Sequence, residues 1–142
     1  MNAENHNVEG WVPDATDLDE MWSFNTLSSM SDLEAREMLK VNPSTFTEAL
    51  SHAKGVLFLS FLQLLLDFLL EHESEDNFAA AAAFMDLIAT QTELRSSEPS
   101  LRMRLHAGAR RIADRQQFYG ADKDIYGDFA DSYKTFASAV PL

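Results

Sequence analysis

Between Gly55 and Leu70 the chain is apolar almost all the way round a helix, and this stretch limits the possible folds more than any other. Val56, Leu57, Phe58, Leu59, Phe61, Leu62, Leu64, Leu65, Leu66, Phe68, Leu69 and Leu70 supply the apolar surface. Ser60, Gln63, Asp67 and Glu71 interrupt it at intervals of three, four and four residues. At about 100° per residue these four form one narrow polar stripe. A helix wetted only along such a stripe is surrounded by neighbours on most sides. The segment is shorter than the roughly 18–20 apolar residues of a membrane span and contains Gln63 and Asp67, so it reads as a core helix, with no membrane partner. Followed back to Ser44 and on to His72, it becomes a long central helix with Gly55 as its natural bend.

The flanking segments are also helical in pattern. Residues 1–15 read as a flexible acidic arm, lacking both the basic and the apolar regions of a signal peptide. Thr16 is positioned to cap a short helix carrying Leu18, Met21 and Trp22 on one face. Ser31-Asp32-Leu33-Glu34 is a capping box for a helix to about Lys40, ended by Val41-Asn42-Pro43. A further helix is expected from about Asp76 to Arg95, including the small residues Ala79 to Ala83. Pro99 opens another, with Leu101, Leu105, Ile112 and Tyr119 on one stripe and Gly120 as its end. Asp122 opens the last, with a face of Ile125, Phe129, Tyr133, Phe136 and Val140. No strand alternation of useful length and no internal repeat occurs. The expectation is an all-α fold: a compact bundle of about five helices around a long apolar central helix, with residues 16–142 as a single domain. Leu57, Phe61, Leu64, Phe68, Ile88, Leu105, Ile112, Phe129 and Phe136 are the expected core.

Few chemistries fit these residues. With no cysteine among 142 residues, disulfides, zinc thiolates and a cysteine nucleophile are excluded. A net charge of -12 opposes a phosphate backbone, so direct nucleic-acid binding is not expected. Asp122 to Asp128 has the outline of a calcium loop, but Tyr133 stands where a bidentate glutamate is needed. Glu48 and His52 are one residue too far apart for the Glu-x-x-His of di-iron bundles. Ser60, Gln63 and Asp67 lack a histidine at helical spacing. No catalytic residue, metal or cofactor is therefore assigned.

What remains points to binding. Arg104, Arg111 and Arg115 fall on one face of the segment that holds five of the 11 basic residues. Guanidinium groups so placed suit an anion or a carboxylate-rich partner, or else pair with the chain's own carboxylates. Trp11, Leu18 and Trp22 lie in the acidic N-terminal portion and can anchor in a partner's groove, or else Trp22 seals the chain's own bundle. The expected function is a non-enzymatic protein-interaction module, a small acidic regulator, adaptor or inhibitor in the cytoplasm, binding a protein partner of basic character. The apolar circumference of the central helix further suggests a homodimer, because soluble monomers rarely expose so large a patch. The alternative is a small-ligand or anion-binding protein, or an enzyme, using a cavity beside the central helix.

Overall fold

The structure is a computed structural model and describes residues 10–142; the rest of the expected arm, residues 1–9, lies outside the described residues. Among the described residues eight α-helices and two short 3-10 turns follow one another without a strand. Local chemistry fixes most helix starts. Asp17 caps α1 (Leu18–Ser28) by accepting from the Glu20 N–H, whereas Thr16, expected in that role, donates to Asp14. Ser31 and Glu34 close the anticipated capping box of α2 (Asp32–Val41). Prolines open α3 (Pro43–Ser51) and α6 (Pro99–Asp114), where a missing N–H leaves no bond unmade.

The helix count exceeds the expected five or so, and two of the expected helices are each divided in two. The helix anticipated from Ser44 to His72 is two: α3 ends at Ser51 and α4 (Gly55–Glu71) begins after a turn. Gly55 has φ 67°, a left-handed value that glycine adopts at no steric cost and that stops a right-handed helix, so the anticipated bend is a break. Gly127, φ 77°, likewise divides the last helix into α7 (Lys123–Tyr126) and α8 (Phe129–Ala139), and Asp128 caps the new start. Ile125, expected on the core face, is therefore 72% exposed. The helix anticipated to reach Arg95 stops as α5 (Phe78–Thr90), and α6 ends at Asp114, six residues before Gly120.

Contacts gather into two compact units, Met1–Leu65 and Leu66–Leu142, so that the division falls within α4. In the first unit α3 packs against both α1 and α2, and Phe46 of α3 meets Phe61 of α4 edge to face at 5.8 Å. In the second, α8 packs against both α5 and α6. Gly108 of α6 lies over Leu66: a Cβ at Gly108 would stand 2.5 Å from Leu66 Cδ1, so a larger residue there would require the Leu66 side chain to shift. Tyr119 is fully buried and donates its hydroxyl to the Leu69 carbonyl at 2.8 Å, taking up an acceptor near the end of α4. All nine expected core residues are buried. So are the apolar residues of α4 from Leu57 to Leu69, apart from the half-buried Leu59. The broad apolar patch that suggested a dimer through this helix is thus covered within the chain.

Candidate functional site

The arginines on α6 face carboxylates of their own unit. Arg104 pairs with Asp67. Arg111 Nε donates to Glu73 Oε1 at 2.7 Å. Arg115 Nε stands 2.5 Å from Glu73 Oε2, an ion pair without the alignment of a hydrogen bond. One glutamate, just beyond the end of α4, thus serves two arginines one turn apart on α6. Burial raises the Glu73 pKa, but the Arg111 hydrogen bond and the charges of Arg111 and Arg115 together outweigh it and hold the carboxyl below its ordinary value. Arg111 is correspondingly held above the usual guanidinium value, first by its hydrogen bond to Glu73. Arg115 also lies over the Phe118 ring, 4.1 Å from its centroid, a cation–π contact.

The N-terminal anchors divide. Trp11 is buried, 3% exposed; its Nε1 donates to Glu20 Oε1 at 3.1 Å, and its ring stands edge-on to Phe24. It is tied down within the first unit and is not available as a docking anchor in this arrangement. Leu18 is 82% exposed and Trp22 40% exposed, one helical turn apart on α1. The exposed carboxylates Asp14, Asp17 and Asp19 are their neighbours in sequence, and no Lys or Arg precedes Arg36 in the chain.

Three buried polar clusters escape sequence reading. Glu20, almost fully buried, accepts from the Asp14 backbone N–H at 2.9 Å and from Trp11, and pairs with Lys54 at 3.0 Å. The Asp14 N–H, then Lys54 and Trp11, hold its carboxyl down to about 2 against the effect of burial. Gln116 donates to the carbonyls of Ala121 and Gly127 at 3.0 and 2.8 Å and accepts from the Phe129 N–H at 2.9 Å. His106 Nε2 lies 2.5 Å from the Val140 carbonyl, which can only accept, so Nε2 carries the hydrogen and Nδ1 faces the Tyr133 hydroxyl. Each cluster satisfies backbone groups at chain turns or ends, which is positioning rather than reaction chemistry. Among the described residues no group of three or more His, Asp and Glu side chains is arranged to hold a metal ion, and no helix is long and apolar enough to cross a membrane.

No family model, no curated protein and no solved structure matches this chain.

Proposed function

We propose that this chain is a protein-interaction module that binds a basic, partly apolar protein surface through the Leu18–Trp22 stripe of α1. The observation that carries the reading is the 82% exposure of Leu18 one turn from a partly exposed tryptophan, in a stretch where Asp14, Asp17, Asp19 and Glu20 outnumber the one basic side chain placed beside it, Lys54. An apolar side chain left in water contributes no burial in the free chain. Its burial against a partner gains roughly 1.5–3 kcal/mol, and tryptophan is a favoured anchor. The three aspartates add charge complementarity, which speeds association and rejects acidic partners.

The anion-binding alternative relies on Arg104, Arg111 and Arg115, and each of these already faces a carboxylate. A ligand there would have to displace those pairs, so the α1 reading has the stronger support. Affinity capture from the cells that make the protein, with wild type, Leu18→Glu and Trp22→Ala compared, tests it. The α1 variants should lose roughly tenfold or more of the captured partner while keeping a helical spectrum. Equal capture by all three would remove α1 as the binding surface.

A further inference from the structure

We infer that the partner of the α1 stripe is a second copy of this chain, which receives it on the exposed surface formed by α6 around Arg110 and by Phe118 in the turn that follows it. The inference rests on the reading of α1 as a binding surface and adds the identity of what it binds.

The α6 face has the complementary chemistry. Ala107, Arg110, Arg111, Asp114, Arg115 and Phe118 line one open depression. Phe118 is 61% exposed, an aromatic ring left in water, with the Arg115 guanidinium lying over it. Arg110 is exposed and makes no hydrogen bond or ion pair among the described residues. Glu73 is the shared partner of Arg111 and Arg115, so three guanidinium groups here meet two carboxylates, Glu73 and Asp114. A local cationic excess beside an exposed ring is the least expected surface on a chain of net charge -12.

The α1 stripe supplies what that face lacks. It offers an exposed leucine and a partly exposed tryptophan, flanked by Asp14, Asp17 and Asp19, in a stretch with no Lys or Arg before Arg36. Carboxylates pair with guanidinium groups in a planar, two-pronged geometry, and an indole or leucine covers a phenyl ring and an alanine methyl with apolar surface. The acidic and basic surfaces are different patches of one molecule, and in the inferred head-to-tail contact each copy offers one donor face and one acceptor face.

The pairing of two different faces gives a complementation test that a contact of α1 with α1, or of α6 with α6, would fail. Sedimentation velocity across a concentration series compares the full chain with Leu18→Glu, with the double variant Arg110→Glu, Phe118→Ser, and with an equimolar mixture of the two. All three substituted side chains are exposed, so the core is untouched; Leu18→Ala serves as a milder second α1 variant, and circular dichroism checks each fold. Wild type should associate, and each variant alone should lose roughly tenfold or more in self-affinity. The mixture should recover association and stop at dimers, because it holds one intact α1 stripe and one intact α6 face per pair. A mixture that stays monomeric while wild type associates overturns the head-to-tail contact. So does a wild type that is monomeric throughout; if Leu18→Glu then still abolishes capture of another protein, the α1 reading stands and only the self-docking falls. Self-association and capture that both survive Leu18→Glu overturn both.

Discussion

Gln116 is a residue whose removal the second unit should feel. It is almost fully buried and engages two carbonyls and one N–H from three different positions, Ala121, Gly127 and Phe129. Those partners lie on the connection that replaces the expected helix end and on the first residue of α8, so one amide side chain fixes the chain between α6 and α8. Gln116→Met keeps much of the volume but leaves the Phe129 N–H and two carbonyls without this partner. An unsatisfied buried group costs about 1–3 kcal/mol, so the variant should lose on the order of 2–4 kcal/mol in a urea titration. A loss near zero would mean that the turn rearranges and finds other partners. Nothing in the sequence singles Gln116 out: a glutamine carries no periodic signal, and its partners are backbone atoms five to thirteen residues away. The same holds for Glu73, whose hydrogen-bonding partner Arg111 is 38 residues distant. The stripe of arginines was legible because it is periodic on one helix; the carboxylates that answer it were not.

At the scale of elements, amphipathic periods and caps were readable, and breaks were less so. The capping box at Ser31 and the apolar run of α4 both follow from neighbours within a few residues. Gly55 and Gly127 are different. A glycine inside a helical pattern costs only about 1 kcal/mol relative to alanine, so the pattern alone does not decide between a tolerated residue and a left-handed stop. Both glycines adopt the left-handed φ and stop the helix. The segment before α1 was expected to form part of a loose arm, yet from Gly10 it lies against the first unit, with Trp11 buried and Glu20 joining it to α1 and Lys54. Glu20 makes this attachment sensitive to acid. Its folded pKa is about 2 against an ordinary 4.5, so the ionised form holds the segment before α1, a strap tied by Trp11 and the Asp14 N–H. A depressed carboxyl contributes stability that is complete above its unfolded value and is lost as pH falls toward its folded value. The Tm advantage of wild type over Glu20→Gln should therefore be full above about pH 4.5 and shrink toward about pH 2. In a Trp22→Phe background, the emission of Trp11 should shift to the red across the same window as its indole meets water. A constant Tm difference, or an emission unchanged between those limits, would show that Glu20 does not hold the strap.

For the whole molecule, charge is unevenly placed, and this unevenness has a measurable consequence. The chain carries -12 overall, with no Lys or Arg before Arg36 and five arginines between Arg102 and Arg115. Two copies that meet head to tail repel as net anions while their α1 and α6 faces attract locally. The two effects respond differently to salt. Repulsion between whole chains acts over distances longer than the ~8 Å Debye length at physiological ionic strength and is largely screened there. Guanidinium and carboxylate groups in contact, partly shielded from water, are screened less. Self-association should therefore be weaker near 0.01 M salt, where the Debye length is about 30 Å, strengthen toward about 0.15 M, and weaken again near 1 M as the contact pairs are screened. An apolar contact alone would strengthen as screening removed the net repulsion and would not fall again, since added salt does not weaken apolar burial in the way that it weakens ion pairs. Reversing Arg110 to glutamate should remove the maximum by converting the local attraction into repulsion. A wild-type chain whose association rises steadily to about 1 M salt would place the contact on apolar surface outside the α6 arginines.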